Sequence, residues 1–328
     1  MRFAKYSLLT LAGLLWLLSA EANINPQLQG KAKPASTNSD VSFRADCTTP
    51  KGQIDQGLNR LTGGKVNNVR ARLRTGGDPW WDGDDGKYIV PHVDPGEPEV
   101  SSIYAGGVWL GGYDPGNNLK VACQTYGNPS GNTDFWTGPL DPDNGTTDVE
   151  ICEKWDRFFE VYATEIDEHL RLYNESIATG SDYDPGLIPK GVKGWPAKGN
   201  EYFFEINEFD LPNTNQGLAG FHDRDGDTNY EPLDGDYPVI EIRGCEVPNY
   251  PDQMIFWIYN DNGGIHGETQ GNAIQMEIQV QAFNYGTNDE INDMTFQRYK
   301  LINRAIEDID STFFAMWADP DLGCSIDD

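Results

Sequence analysis

The alternation of apolar and polar residues predicts a mainly β protein from about residue 66 onward. Val69, Ala71 and Leu73 alternate with polar side chains, which places apolar groups on one face of a strand. Residues 102–110 and 119–126 are two further strand candidates, joined by a turn rich in Gly and Asn that is typical of a hairpin. These segments predict a sheet built from antiparallel strands.

The clearest strand patterns lie in the C-terminal third. Residues 253–259 form an apolar run, which is typical of a strand buried on both faces. Residues 274–282 alternate between apolar and polar side chains and so predict a strand with one apolar face. Residues 294–302 and 312–317 are expected to return antiparallel. The expected architecture is an antiparallel β-sandwich with long loops rich in Gly and Asp.

One segment has the residue spacing of an amphipathic helix. Apolar side chains recur at three- and four-residue steps from Ile151 to Leu170 and predict one helix over about 148–173, packed on the sheet. Thr147 and Glu150 have the spacing of a capping box at its start. The aromatic residues of this stripe are expected in the core and not around a cofactor.

The N-terminus has the pattern of a signal peptide. Arg2 and Lys5 precede an apolar run over 8–18, and the small residues that follow give an A-x-A cleavage site ending at Ala22. The alternative is a membrane anchor, but this run is shorter than the roughly 20 residues needed to cross a bilayer. We therefore expect export and cleavage.

Three regions follow from these patterns: a signal peptide over 1–22, a polar linker over 23–62 and a β-rich extracellular domain over 63–328. Gly, Asn, Asp and Pro interrupt every later apolar run, so we expect no membrane insertion after cleavage. The expected location is outside the cell or at the cell surface.

Charge narrows the classes of partner. The 328 residues include 52 acidic and 24 basic side chains, which give a formal net charge of -28 at pH 7. Nucleic acid is excluded as a partner, because its binding depends on Lys and Arg replacing counterions. The acidic excess has two compatible interpretations, a solvated surface that keeps the protein dispersed and a supply of ligands for divalent cations.

The strongest local motif is an Asp-rich stretch over 223–236. A calcium loop uses carboxylates at positions 1, 3, 5 and 12 and a backbone carbonyl at position 7. Position 6, usually Gly, is Thr228 here, the usual terminal Glu is Asp, and the flanking sequence does not suggest the helix pair of an EF-hand. The alternative is an exposed Asp/Gly turn without an ion. The predicted calcium ligands are Asp223, Asp225, Asp227, Asn229, Asp234 and Asp236.

A second acidic cluster is a weaker candidate for a cation site, because its spacing matches no established loop. It consists of Asp319, Asp321, Asp327 and Asp328. The alternative is a solvated turn.

The five cysteines are widely spaced and form no C-x-x-C pair, which excludes zinc ribbons and thioredoxin-like redox sites. In an oxidising compartment up to two disulfides are expected, with one Cys left over. The spacing leaves the pairing open.

Familiar catalytic motifs are missing from the sequence. It contains no G-x-S-x-G, no H-E-x-x-H, no P-loop and no G-x-G-x-x-G, and its four His residues have no metal-ligand spacing. We therefore expect no enzyme. Several aromatic residues near Gly turns are candidates for stacking on sugar rings, although most are expected in the core. They are Trp80, Trp81, Trp109, Trp136 and Trp195.

Several strings, in the same order, resemble the N-terminal region of large secreted proteins of the Bacteroidota, the cargo class of the type IX secretion system. The strings lie at 104–112, 134–140, 194–200, 223–238 and 317–323. The resemblance runs from about residue 65 to the end. It implies that the domain continues past residue 328 into further modules and a sorting domain. The resemblance implies where the protein is located and implies less about its biochemical function.

The sequence thus predicts a non-enzymatic structural or adhesion module of a secreted or cell-surface protein, stabilised by calcium. An extracellular polysaccharide or a cell-surface or matrix protein is the expected partner. The alternative is a carbohydrate-active protein that binds or hydrolyses extracellular polysaccharide.

Overall fold

Antiparallel strands dominate the structure. The computed structural model describes residues 45–126, 132–214, 217–246 and 249–321. The predicted signal peptide and the first part of the predicted linker lie outside the described residues. No helix in the described part of the chain is long and apolar enough to cross a membrane.

The strands are β1 (Gln53–Gln56), β2 (Leu58–Asn59), β3 (Gly64–Lys65), β4 (Arg70–Arg74), β5 (Tyr88–Ile89), β6 (Ile103–Tyr113), β7 (Leu119–Cys123), β8 (Trp136–Thr137), β9 (Phe159–Tyr162), β10 (Phe221–His222), β11 (Tyr237–Pro238), β12 (Glu241–Ile242), β13 (Cys245–Glu246), β14 (Gln253–Asn260), β15 (Met276–Asn284), β16 (Phe296–Asn303) and β17 (Asp310–Pro320). The α-helices are α1 (Val149–Trp155), α2 (Ala163–Thr179), α3 (Lys190–Lys193) and α4 (Phe203–Asn207).

A central sheet has the order β16-β15-β14-β8, and β9 pairs with the first half of β14. Every residue of β14 is buried, as its apolar run predicts. Its side chains alternate between two cores, since both faces of the sheet are covered. One core receives Met254, Phe256 and Ile258, and the other receives Ile255, Trp257 and Tyr259.

The second of these cores lies between the central sheet and the strands β4 and β6. Leu73, Val108 and Leu110 belong to the same buried cluster as Ile278 and Val280 of β15. The predicted hairpin is confirmed, because β6 pairs antiparallel with β7. On its other edge β6 pairs with β17, which thus lies outside the central sheet. Sheet-on-sheet packing confirms the mainly β sandwich.

The single helix predicted over 148–173 is interrupted. Helices α1 and α2 flank β9, which pairs with β14 from Phe159↔Phe256 to Tyr162↔Gln253. The aromatic and branched residues of β9 favour a strand, and pairing with a buried neighbour overrides their helical spacing. Asp148, one residue after the predicted cap, accepts a hydrogen bond from the Ile151 N–H at 2.8 Å.

The polar side of β15 is buried, although its alternation is also compatible with an exposed face. Glu277, Gln279 and Gln281 are all buried. Arg304 Nε lies 3.1 Å from a Glu277 carboxylate oxygen, and the Gln279 amide donates to the other at 2.8 Å. Gln281 donates to the Val239 carbonyl at 3.1 Å. Burial is tolerated because these groups have polar partners.

The folded unit begins before the predicted boundary at residue 63. The described residues, from 45 onward, belong to one compact unit. Within the predicted linker, β1 pairs with β4, and Cys47 forms a disulfide with Cys152. The backbone N–H groups of Lys51 and Gly52 donate to the Asp156 carboxylate at 2.9 and 2.8 Å. The polar composition of this segment hides its pairing with later strands.

Candidate metal centre

The Asp-rich loop over 223–236 is closed at its base by two short strands. Phe221 pairs with Pro238 and His222 with Tyr237, so the two ends of the loop lie side by side. Strands flank the loop in place of the helix pair of an EF-hand, in agreement with the flanking sequence. In the middle of the loop, Tyr230 is buried and its hydroxyl donates to the Val192 carbonyl at 2.8 Å. The loop is therefore anchored to the core.

Asp223, at loop position 1, organises the first half of the loop. One carboxylate oxygen accepts the Gly226 N–H at 2.7 Å, and the other accepts the Thr228 N–H at 2.8 Å. Side-chain to backbone bonds of this kind wrap the chain around the carboxylates. An oxygen from each of Asp223, Asp225 and Asp227 lies within 4.8 Å of the others. The three predicted ligands are thus brought together.

The turn that a calcium loop needs at position 6 is present despite the missing glycine. Thr228 has a φ of 73°, in the left-handed region that favours Gly. Holding a non-glycine residue there costs about 1–2 kcal/mol. Thr228 therefore adopts the backbone conformation that Gly usually has at this position, with local strain as the cost.

A second group of acids adjoins the first. It contains Asp225, Glu231 and Asp234, whose ligand oxygens also lie within 4.8 Å of one another. Asp225 belongs to both groups and so joins them. Glu231 is absent from the predicted ligand set, although it occupies position 9, where calcium loops often supply a ligand through water. Loop position alone was the signal that could have found it.

Asp236 and Asn229 have other partners. Asp236 is 2 % exposed, and its carboxylate accepts the N–H groups of Arg224 at 2.9 Å and Glu231 at 3.0 Å. The Asn229 side-chain amide donates to Asp227 at 2.9 Å. Neither residue belongs to the two groups of acids. Asp236 positions the backbone of the loop, and Asn229 orients the carboxylate of Asp227.

The carboxyl groups of the loop have perturbed affinities for protons. Hydrogen bonds from Asn229, the backbone N–H first, lower the pKa of Asp227. Burial, followed by the charges of Asp227 and Asp234, raises the pKa of Glu231. Burial likewise raises the pKa of Asp236. Acids gathered in this way repel one another unless a cation or protons intervene.

The donor set determines which ion would fit. Both groups consist of carboxylates, with no imidazole or thiolate ligand. Oxygen ligands of this kind suit the hard cations calcium and magnesium and not zinc. Asp223, Asp225, Asp227, Glu231 and Asp234 would hold a calcium ion, which would supply charge neutralisation and a link across the loop.

The second predicted acidic cluster is described only in part. Asp319 accepts a hydrogen bond from the Tyr126 hydroxyl at 3.0 Å, and the Asp321 N–H donates to the Ser102 carbonyl at 3.0 Å. Asp327 and Asp328 lie outside the described residues. A cation site there stays a prediction.

Two of the five predicted sugar-stacking aromatics are buried. Trp136 and Trp195 are buried, and Trp80 and Trp81 are half-buried. Trp109 on β6 is 39 % exposed. Core packing, the interpretation favoured by the sequence, therefore accounts for the first two.

The cysteine pairing left open by the sequence is resolved in part. Cys47 and Cys152 form a disulfide, and Cys123 and Cys245 are free thiols. Cys324 lies outside the described residues.

The sequence matches no protein-family model, and neither a curated protein nor a solved structure is similar to it. The resemblance to type IX secretion cargo stays a prediction, and the function has to be inferred from the sites of the chain itself.

Proposed function

We propose that this chain is a calcium-stabilised, non-enzymatic β-sandwich module of a secreted or cell-surface protein, with a structural or adhesive role. The observation that carries the proposal is the pair of joined acidic groups on the loop over 223–236, which share Asp225. A loop anchored by Tyr230 in the core transmits the effect of a bound ion to the fold. The resemblance to secreted Bacteroidota proteins agrees with this role.

Calcium would stabilise the module by binding the folded chain and not the unfolded one. Asp223 and Asp234 are eleven positions apart, and the pairing of β10 with β11 brings the two ends of their loop side by side in the folded chain. A ligand present at 100 times its dissociation constant adds about 2.7 kcal/mol to the free energy of unfolding. Calcium sites of extracellular modules bind in the range of about 10⁻⁴–10⁻³ M.

An extracellular location is supported by the disulfide as well as by the signal-peptide pattern. The bond between Cys47 and Cys152 is of a kind that persists in oxidising compartments and is rare in the cytosol. The net charge of -28 agrees with a dispersed, water-exposed protein.

Thermal unfolding in calcium, magnesium and EGTA tests the calcium proposal. Asp225→Asn removes a charge common to both acidic groups. Asp84→Asn is the matched control, because Asp84 is exposed in another Asp-rich turn and belongs to neither group. Calcium is expected to raise the melting temperature of the wild type and of Asp84→Asn but not that of Asp225→Asn. A wild-type melting temperature that is the same in calcium and EGTA would refute the proposal.

The alternative function, contact with polysaccharide, is favoured by one surface. Trp109 and Tyr113 lie on the same face of β6 and are 39 % and 40 % exposed. Phe313 of β17 is 74 % exposed and pairs with Gly111, which lies between Trp109 and Tyr113 on β6. Four residues of strand span about 13 Å. The three rings therefore form an extended aromatic surface, the aromatic face, that is suited to stacking on a sugar chain.

A glycan array with the purified chain tests the aromatic face. Trp109→Ala and Phe313→Ala are expected to abolish binding of any glycan that the wild type retains. Phe204→Ala, a change of an exposed aromatic residue on α4, is expected to leave it intact. Equal loss in all three variants would argue against this surface.

A further inference from the structure

Two adjoining cavities, of about 390 and 500 Å³, lie away from both the Asp loop and the aromatic face. They have several lining residues in common, and the two together are called here the Arg60 recess. The shared residues are Arg60, Phe158, Lys190, Ile206 and Asn207. A hollow of this size is in the range of small-molecule sites.

Three basic side chains line the Arg60 recess, although the protein as a whole is strongly acidic. Arg60, Arg157 and Lys190 all line it, and all three are exposed. Within the described part of the chain, Lys190 lacks the carboxylate partners that Lys154 and Lys193 have. Cations that line a cavity attract an anionic group.

The two arginines keep donors available for a ligand. The Arg60 guanidinium lies 3.7 Å from a Glu160 oxygen and is 59 % exposed, which makes it a loose ion pair. Arg157 donates one hydrogen bond, to the Asn207 carbonyl at 3.3 Å, and stacks over the Phe209 ring at 5.0 Å. A guanidinium has five N–H donors in a geometry that matches a carboxylate.

One acid that lines the recess is already occupied by backbone donors. The Asp156 carboxylate accepts the N–H groups of Lys51 and Gly52, at 2.9 and 2.8 Å, and the Thr75 hydroxyl. These bonds occupy both of its oxygens. It therefore competes weakly with an anionic ligand for the three cations.

Glu160 gives the recess a hydrogen-bond acceptor. One carboxylate oxygen accepts the Tyr162 hydroxyl at 2.6 Å and the Gln253 amide at 2.7 Å. The other oxygen has only the distant Arg60 contact. Neighbouring Glu165 is engaged at both oxygens, by the N–H groups of Tyr162 and Gly191. Glu160 therefore has an oxygen free to accept a hydrogen bond from a ligand hydroxyl.

The remaining lining is apolar and aromatic. Phe158, Phe159 and Ile206 line the cavity that contains Glu160. A sugar ring has an apolar face and hydroxyl groups at its edge, so it matches an apolar wall beside a hydrogen-bond acceptor. A carboxylate on that sugar would match the three cations.

We propose that the Arg60 recess binds an acidic sugar, one that carries a carboxylate on its ring. The carboxylate pairs with Arg60, Arg157 and Lys190, a hydroxyl donates to Glu160, and the ring lies against Phe158. This site goes beyond the calcium-stabilised module proposed above and shares no residue with the Asp loop.

Calorimetric titration of the full chain tests the proposal, with glucuronate and trigalacturonate as acidic probes and glucose and maltotriose as neutral ones. One charge-assisted hydrogen bond is enough for about tenfold in affinity, so acidic sugars should bind at least tenfold more tightly than neutral ones. Raising the salt concentration should weaken the binding of the acidic probes and leave that of the neutral probes unchanged. Equal affinity for both kinds of sugar, or binding of neither, would overturn the proposal.

Two substitutions locate the binding. Lys190→Ala changes an exposed side chain and should weaken binding of the acidic probes about five- to tenfold, whereas Lys154→Ala, on α1, should not. Glu160→Gln keeps an acceptor for Tyr162 and Gln253 and should also weaken binding. Wild-type affinity in Lys190→Ala would overturn the proposal even if Glu160→Gln fails to fold.

The length of the probe and the presence of calcium give two further distinctions. Tighter binding of trigalacturonate than of glucuronate would identify a polysaccharide as the source of the sugar, and equal binding would identify the free sugar acid. Repeating the titrations in EGTA separates this site from the Asp loop. The acidic sugar should still bind under conditions where the chain remains folded without calcium.

Discussion

The disulfide between Cys47 and Cys152 is expected to contribute about 4–5 kcal/mol to the free energy of unfolding. The bond joins residues 105 positions apart, so it closes a long loop in the unfolded chain. For a loop of roughly 100 residues, the entropy that the bond removes from the unfolded state corresponds to about 4.7 kcal/mol at 25 °C. The unfolded state is thereby destabilised relative to the fold.

The native contacts around the bond indicate that the fold survives its loss. The Cys47 N–H donates to the Gly263 carbonyl at 3.0 Å. A few residues later, the Asp156 carboxylate holds the backbone of Lys51 and Gly52. None of these hydrogen bonds requires the sulfur atoms. The expected loss of stability therefore comes mainly from the greater conformational entropy of the unfolded chain without the disulfide.

Urea denaturation followed by tryptophan fluorescence measures the effect. The double variant Cys47→Ala/Cys152→Ala should lose about 4–5 kcal/mol, and Cys245→Ala, which removes an exposed free thiol, should change by less than about 0.5 kcal/mol. A reductant should destabilise the wild type to the same extent and leave the double variant unchanged. A double variant as stable as the wild type would refute the entropy argument.

Three other predictions concern single residues. Thr228→Gly should raise the free energy of unfolding by about 0.5–1 kcal/mol in a thermal melt, because φ is 73°, whereas Gly226→Ala, at a φ of 83°, should lower it. Burial lowers the pKa of His169 from 6.5 to about 4. As the pH falls below 6.5, His169 therefore binds a proton in the unfolded chain, whereas in the folded chain it stays neutral down to about pH 4. Between pH 7 and pH 5 the free energy of unfolding of the wild type should fall by about 2 kcal/mol more than that of His169→Gln. Parallel pH profiles of stability for the two proteins would contradict this. Burial, and then the charge of Asp134, raises the pKa of the Cys123 thiol to about 11, so iodoacetamide at pH 8 should label exposed Cys245 far faster, as peptide mapping would show.

Local patterns were sufficient to predict several strands. The apolar run of β14 predicted its burial on both faces, and the spacing of the β6–β7 hairpin predicted its pairing. Local patterns did not predict that β9 interrupts the helix, because β9 forms by pairing with an edge of β14 that lies almost 100 residues later in the chain. The buried polar face of β15 likewise depends on Arg304 from another segment.

The candidate site shows the same division between local and distant effects. Spacing along the loop predicted that Asp223, Asp225, Asp227 and Asp234 would lie near one another, and each belongs to one of the two acidic groups, because the loop is a local structure. The burial of Asp236 and its hydrogen bonds from backbone N–H groups were not predicted, since a buried carboxylate of this kind has the same sequence pattern as a metal ligand. The pairing of Cys47 with Cys152 was equally invisible, because it depends on how distant segments pack.

The pairing of β6 with β17 has a consequence for the way the chain reaches its fold. Tyr113, at the end of β6, meets Asp310, at the start of β17, so the partner strand is synthesised roughly 200 residues later. Until then, the backbone N–H and C=O groups along that edge of β6 are available to other chains. Contacts of such high sequence separation form slowly. A cell that keeps this chain extended until β17 is complete would therefore protect it from aggregation.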